Sequence, residues 1–216
     1  MLGNRVLIKD FHININKERV FNALDTIEGK TEESLYKRMD TLYNKALARM
    51  REVVSTRGVF EFKKNKRDLY PNILGDSEIL LYSFFTLGEG VSMEGKKLFS
   101  KGKYLEAMVF DTMSNILLFE IGEEMSERIN VYGSKLGIYI KDRMSPGDGG
   151  TPFIFQKTLW EELELKDLDI EINEKNIFKP LKSMGYIFTT SIYKQDQGNS
   201  SFCGKCQKLD CKLRKS

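Results

Sequence analysis

The sequence predicts an α+β fold in which a mostly antiparallel sheet packs against long helices. Two long segments carry apolar residues every three or four positions, the spacing that lines one face of an amphipathic helix. Between them, residues 78–86 form a nearly continuous apolar run typical of a central strand. The predicted strands and helices neither alternate strictly nor separate into two halves, which favours the α+β class.

The first third of the chain predicts a strand, two helices and a second strand. Residues 11–15 alternate apolar and polar side chains like a short strand, and Asn16 then stands where a helix N-cap would. Thr31 opens a second, amphipathic helix. The apolar face of the first helix would carry Val20, Phe21 and Leu24, and that of the second Leu35, Met39, Leu42, Ala46, Met50 and Val53. Residues 59–62 resemble the next strand, and the lysine-rich residues 63–67 an exposed loop.

The longest helix is predicted after a turn that contains two glycines. Gly88 and Gly90 follow the central apolar run and free the backbone for a tight strand-to-helix connection. The helix behind this turn has a broad apolar face, as expected of a central core helix. That face carries Leu105, Met108, Val109, Met113, Ile116, Leu117, Ile121, Met125 and Ile129.

The last third is predicted to contain short strands around one loop. Residues 136–140 resemble a strand that leads into a turn-rich loop over residues 143–152, and Pro152 suits the first turn of a helix. Residues 168–172 and 185–193 alternate apolar and polar side chains as strands do.

Length and charge predict one large domain without a nucleic-acid or membrane partner. A chain of 216 residues with 41% apolar residues can bury a full core, which we assign to residues 1–194. Residues 195–216 then form a polar linker and a cysteine-rich tail. The formal net charge is only +3 with mixed signs, unlike a nucleic-acid-binding surface. No apolar stretch approaches the roughly 20 residues that span a bilayer, so we expect a soluble, cytoplasmic protein.

The loop that begins at Arg143 offers groups suited to an amino-acid carboxylate. A guanidinium gives paired donors to a carboxylate, and Gly147, which has no Cβ, lets a ligand approach the main chain. The order of Arg143, Pro146, Gly147 and Pro152 resembles the signature loop of the activation domain of cobalamin-dependent methionine synthase. In that family the loop binds S-adenosylmethionine, and the arginine holds its carboxylate. The resemblance predicts a ligand site built from Arg143, Ser145, Pro146, Gly147, Asp148 and Tyr186.

Two positions of this predicted site need comment. Asp148 stands where the family usually has a tyrosine, so an aromatic surface and a hydroxyl are replaced by a negative charge. The sulfonium and ammonium groups of S-adenosylmethionine are cationic and compatible with that charge. Tyr186, with Phe188, would line the adenosine side, where the family also has aromatic residues. Without the matching glycine and prolines, a surface ion pair of Arg143 with Asp142 or Asp148 would be the better interpretation.

Further segments resemble short, free-standing members of the same family. The turn at residues 86–88, followed by a long helix with Asp111, is similar to their strand, glycine turn and helix. Residues 182–184, Lys-Ser-Met, resemble their Lys-Ser-Val segment, and residues 13–16 and the terminal cysteines also follow those members. We interpret Asp111 as a buried polar contact to the glycine turn. His12, the only histidine, is interpreted as a packing or surface residue and not as a catalytic base.

The resemblance implies an accessory function. In the family, the domain closes over oxidised cobalamin, and an electron and a methyl group from S-adenosylmethionine together restore the methylated cofactor. A free-standing version would act on a partner that carries the cobalamin, either a cobalamin-dependent methionine synthase or another corrinoid protein. A flavodoxin- or ferredoxin-type protein would supply the electron. The alternative is a metal-binding or redox adaptor for another corrinoid methyltransferase that has lost S-adenosylmethionine binding.

All three cysteines, Cys203, Cys206 and Cys211, lie close together in the C-terminal tail. The body of the fold uses none, which argues against a disulfide scaffold and for thiols in a reducing compartment. Three soft ligands on one short segment suit zinc or an iron-sulfur cluster, with a fourth ligand from elsewhere. Free or transiently oxidised thiols are the alternative.

Overall fold

A computed structural model of the chain describes residues 3–66, 74, 77–147 and 151–194. In these residues the architecture is α+β, with a five-stranded antiparallel sheet and five α-helices. The predicted fold class is therefore confirmed. No helix in this part of the chain is long and apolar enough to cross a membrane.

The described residues form five α-helices, one 3-10 turn and seven strands. The helices are α1 Lys17–Ala23, α2 Glu33–Val53, α3 Glu89–Ser100, α4 Tyr104–Lys135 and α5 Phe155–Glu162, followed by a 3-10 turn at Leu165–Leu168. The strands are β1 Val6–Ile8, β2 Arg57–Lys64, β3 Ile79–Thr86, β4 Tyr139–Met144, β5 Glu171–Ile172, β6 Phe178–Lys179 and β7 Ser183–Ser191. The main sheet has the order β1-β2-β3-β7-β4, and β5 and β6 form a separate two-stranded sheet.

The main core lies between the sheet and helices α1 to α4. Asn16 caps α1 as predicted, because its side-chain oxygen accepts a hydrogen bond from the Arg19 backbone N–H at 3.0 Å. The long helix α4 contributes most of the buried apolar side chains, as its broad apolar face predicted. Its buried residues include Val109, Met113, Ile116, Leu117, Ile121, Met125 and Ile129.

Strand β3 lies in the middle of the sheet and is buried on both faces. Leu81 and Phe85 point into the main core. Leu80, Tyr82 and Phe84 point to the other face, where α5 and the 3-10 turn form a smaller second core. This double burial explains why the strand reads as a continuous apolar run and not as an alternating one.

The N-terminal strand and the lysine-rich loop were predicted in the wrong places. Residues 11–15 form no strand, and β1 lies earlier, where it pairs with β2. Phe11 and Ile15 are nevertheless buried, so their alternation reports burial along an extended segment and not strand pairing. Residues 63 and 64 belong to β2, and Lys63 contacts Glu162 instead of lying in an exposed loop.

Three boundaries in the second half also differ from the prediction. Leu136 ends α4, so the strand predicted at residues 136–140 runs over Tyr139–Met144 instead. Helix α5 begins at Phe155, after Pro152, and residues 165–172 form a 3-10 turn and a two-residue strand. The separate helix α3 was not predicted. The later position of β4 has the largest consequence for the predicted ligand site, because it places Arg143 in a strand of the sheet and not in the loop.

Candidate functional site

Arg143 lies near the end of the edge strand β4. In the antiparallel pairing of β4 with β7, Arg143 is opposite Phe188, so both side chains project to the same face of the sheet. Tyr186 is the diagonal neighbour on that face, and the Arg143 guanidinium carbon lies 5.0 Å from the centre of its ring. A cation–π contact at this distance helps to fix the position of the guanidinium.

The aromatic side chains beneath Arg143 are themselves held by the main core. Tyr186 is 3% exposed, and its ring centre lies 5.9 Å from that of Phe85 and 6.1 Å from that of Phe188. Its hydroxyl lies 3.4 Å from the Met184 sulfur. Arg143 therefore rests on a rigid aromatic surface at the edge of the sheet. The predicted ligand contact of Tyr186 stays a prediction, since the ring is covered in this structure.

The segment after β4 turns sharply at Gly147. Gly147 has a φ of +85°, a conformation that favours glycine, and an added Cβ would lie 2.9 Å from a ring carbon of Phe153. Its backbone N–H donates a hydrogen bond to the carbonyl of Thr151 at 2.8 Å. Ser145 and Pro146 are half-buried between the strand and this turn. A main-chain hydrogen bond thus joins Gly147 to Thr151, and the predicted glycine is required by the backbone.

A polar cluster at the start of β7 lies on the same face of the sheet. We call it the Lys182 junction, formed by Lys182, Asp111 and Asn115. The Lys182 ammonium lies 2.6 Å from the Asp111 carboxylate and 2.8 Å from the Asn115 side-chain oxygen. The Asn115 amide donates a hydrogen bond to Asp111 at 3.2 Å. The junction ties helix α4 to the sheet.

The main chain of Lys182 joins the glycine turn to the same junction. Its carbonyl accepts hydrogen bonds from the Leu87 N–H at 2.9 Å and the Thr86 hydroxyl at 3.2 Å. The Gly88 N–H donates to the Thr86 hydroxyl at 3.1 Å. Asp111 bonds the side chain of Lys182 and the glycine turn bonds its carbonyl, so the two are connected only through Lys182. Asp111 is not buried as predicted, because 59% of its side chain is exposed.

The junction and Arg143 are related by the periodicity of β7. Side chains two residues apart along a strand project to one face, so Lys182, Met184 and Tyr186 share a face. Four strand residues span about 13 Å, which separates Lys182 from Tyr186 by that distance. The helix-facing side of β7 and β4 thus presents two cationic side chains, one beside the acidic Asp111 and one above an aromatic ring. We define the candidate site as Arg143, Tyr186 and the Lys182 junction on this side of the sheet. The contact of Asn115 with Asp111 and Lys182 was not predicted, although the i, i+4 spacing of Asn115 from Asp111 is visible in the sequence.

Some residues singled out in the sequence are not part of the candidate site, because they lie outside the described residues or in another part of the fold. Asp148 and the three tail cysteines, Cys203, Cys206 and Cys211, are outside the described residues. Within the described residues no group of three or more histidine, cysteine, aspartate or glutamate side chains could hold a metal ion. His12 is a surface residue, as predicted, with its Nδ1 3.1 Å from the Glu124 carboxylate.

Two grooves in the described part of the chain lie away from Arg143. One, of about 350 Å³, runs between α2 and α3 and is lined by charged side chains that include Arg49, Glu94 and Lys97. The other, of about 630 Å³, lies beside the N-terminal segment and is lined by Phe11 and Arg57, among others. Neither includes a residue of the predicted ligand site.

Comparison with known proteins gives a similarity of fold. No family model and no curated protein matches the sequence. Among solved structures, the chain is similar to the crystal structure of the MetH reactivation domain bound to AdoHcy, with a TM-score of 0.59 and 15% sequence identity. The similarity covers 90% of this chain and 80% of that one. At this identity the likeness concerns the fold alone.

Proposed function

We propose that this protein binds S-adenosylmethionine at Arg143–Gly147 and assists the reductive re-methylation of cob(II)alamin in a cobalamin-dependent methionine synthase. One observation carries the proposal: Arg143 lies over Tyr186 directly before the Gly147 turn, in a fold similar to that of a reactivation domain bound to AdoHcy. AdoHcy is S-adenosylmethionine without its transferable methyl group, so the two share a carboxylate, an ammonium and an adenosine.

The side chains at the sheet edge suit the amino-acid end of such a ligand. Arg143 would bind the carboxylate through its N–H groups while Tyr186 holds the guanidinium in place. The turn at Gly147, packed against the Phe153 ring, would fix the course of the loop beside the ligand. Asp148 follows in the sequence, and its negative charge suits the ligand's cationic groups.

The contribution of this chain would be to bind and orient the methyl donor. S-adenosylmethionine, when bound, supplies an electrophilic methyl group, and the partner supplies the corrinoid that accepts it. Holding both reactants at a fixed separation turns an encounter between them into an effectively intramolecular step. We assign this binding function to residues 1–194. We assign residues 195–216 to a tail in which Cys203, Cys206 and Cys211 bind zinc or an iron-sulfur cluster, and propose a flavodoxin- or ferredoxin-type protein as electron donor.

The test is to restore activity to an inactivated methionine synthase that lacks its own activation domain. The enzyme in its cob(II)alamin form is mixed with this protein, a reductant and S-adenosylmethionine, and methyltransferase activity is followed. We expect recovery only when both this protein and S-adenosylmethionine are present. Arg143→Ala should slow recovery at limiting ligand, whereas Arg38→Ala, which removes the same charge from an exposed position on α2, should not.

Two results would contradict the proposal. If methyltransferase activity does not recover under any condition, the proposed accessory function is wrong. Recovery that needs the reductant and Cys206 but proceeds without S-adenosylmethionine would support the redox adaptor instead.

A further inference from the structure

The hairpin formed by α3 and α4 exposes aromatic side chains at its tip. Phe99 and Tyr104 are 65% and 62% exposed, and their rings contact each other edge to face with centres 5.1 Å apart. Met108, one turn further along α4, is 48% exposed. We call these three residues the hairpin patch. Adjacent exposed aromatic side chains of this size mark interaction surfaces more often than scattered single ones do.

The tip is held by hydrogen bonds and by one buried anchor. The Gly102 N–H donates to the Phe99 carbonyl at 3.0 Å, and the Lys103 N–H donates to the Leu98 carbonyl at 3.1 Å. Leu98 itself is 2% exposed, so the turn is fixed to the main core. Because the turn is already fixed, binding of a partner to the hairpin patch would restrict little further motion in this chain. This lowers the entropic cost of association.

The exposed charges beside Phe99 and Tyr104, at the tip of the hairpin, are positive. Lys96, Lys97, Lys101 and Lys103 are all exposed. The two nearby acids are already paired, since Glu94 contacts Arg49 and Lys97, and Glu106 contacts Arg49 and Lys103. Glu94 is also buried. The surface thus presents an apolar centre with a basic rim, which complements an acidic protein face with an apolar centre.

One helical stripe connects the hairpin patch to the candidate site. Tyr104, Met108, Asp111 and Asn115 are spaced by four, three and four residues, so they lie on one face of α4. The last two residues of this stripe belong to the Lys182 junction, which shares a face of the sheet with Tyr186. The seven residues from Tyr104 to Asp111 span about 10 Å of helix. A typical interface of about 800 Å² on each partner would cover both the tip and the candidate site.

We propose that the hairpin patch docks an acidic face of the corrinoid-carrying protein on which this chain acts. The inference rests on the proposed function, because transfer of a methyl group requires the partner to bury surface beside the bound donor. Phe99 and Tyr104 form the apolar centre of the contact. Lys96, Lys101 and Lys103 direct the encounter.

The experiment measures binding of this protein to a cobalamin-dependent methionine synthase that lacks its activation domain. The double variant Phe99→Ala/Tyr104→Ala should weaken the complex at least about tenfold, the scale for removing central aromatic side chains. Tyr193→Ala is the matched control, since Tyr193 is 74% exposed beyond the far end of β7. Lys101→Glu/Lys103→Glu should slow association and reduce its dependence on salt, whereas Lys175→Glu should not.

A second readout separates this inference from the proposed function. All four variants should bind S-adenosylmethionine as the unmutated protein does, because none alters the candidate site. If the unmutated protein does not bind S-adenosylmethionine, the proposed function fails, and a tenfold effect of the aromatic variant still supports docking. If S-adenosylmethionine binds but the aromatic variant leaves the complex unchanged, the docking surface is wrong.

Other occupants of the hairpin patch give distinct results that would overturn the proposal. A dimer of this chain that the aromatic variant dissociates would identify a second copy as the occupant. Sedimentation with phosphatidylserine vesicles that depends on Phe99 and Tyr104 would identify a lipid surface.

Discussion

Replacing Gly90 with alanine is expected to destabilise the protein, because α3 begins against the last turn of α2. An added Cβ at Gly90 would lie 2.4 Å from the Val53 carbonyl oxygen and 3.3 Å from the Val53 carbonyl carbon. These are mostly main-chain atoms of a helix, so they cannot move aside as the end of a flexible side chain can. Overpacking of this kind costs about 1–3 kcal/mol. The gain in helix propensity from glycine to alanine offsets at most about 1 kcal/mol.

The same substitution at Gly95 provides the matched control. Gly95 lies in the interior of the same helix, and apart from the helix's own backbone no heavy atom lies within 4 Å of an added Cβ. Gly95→Ala should therefore stabilise the protein by about 0.5–1 kcal/mol. We expect urea unfolding to give a lower midpoint for Gly90→Ala and a higher midpoint for Gly95→Ala, with similar slopes. Equal midpoints for the two variants, or a more stable Gly90→Ala, would refute the packing argument.

Three further predictions concern acid stability, the loop and the tail. Burial acts to raise the pKa of Glu94, but hydrogen bonds from Lys97 and Arg49 outweigh it and lower the pKa. The resulting stability is present above the unfolded pKa of about 4.3 and lost as the pH falls through the folded value, so Glu94→Gln should show a smaller loss on acid titration. Gly147→Ala should weaken S-adenosylmethionine binding in calorimetry, because its φ of +85° strains any other residue; unchanged affinity would place the ligand elsewhere. Cys206→Ser should lower the metal content of protein purified without oxygen, and a metal-free unmutated protein would contradict this.

The long elements of the fold were predictable because their patterns are local. Helix α2 runs over Glu33–Val53 and buries Met39, Tyr43, Ala46 and Met50, close to the predicted face, although Leu35 is 44% exposed. Asn16 was recognisable as a cap because its side chain bonds a backbone N–H three residues away. In each case one stretch of sequence contains all the information that the element needs.

Features that depend on distant partners were predicted less well. The bounds of β4 are set by its pairing with β7, which the residues around 139–144 do not encode by themselves. The same holds for Arg143, whose position over Tyr186 depends on a register between strands far apart in sequence. Asp111 was predicted to be a buried contact to the glycine turn, but it is exposed and bonds the side chain of Lys182, a residue far away in the sequence.

The most direct test of the central claim is calorimetric titration of the protein with S-adenosylmethionine. We expect the unmutated protein to bind, and Arg143→Ala to lose about 1–3 kcal/mol of binding free energy, the scale of a charge-assisted hydrogen bond. Arg143→Lys should recover only part of this loss because an ammonium lacks the paired donors. Arg38→Ala should bind as the unmutated protein does. No binding by the unmutated protein, or equal affinity of Arg143→Ala, would contradict the assignment of this sheet edge as the ligand site.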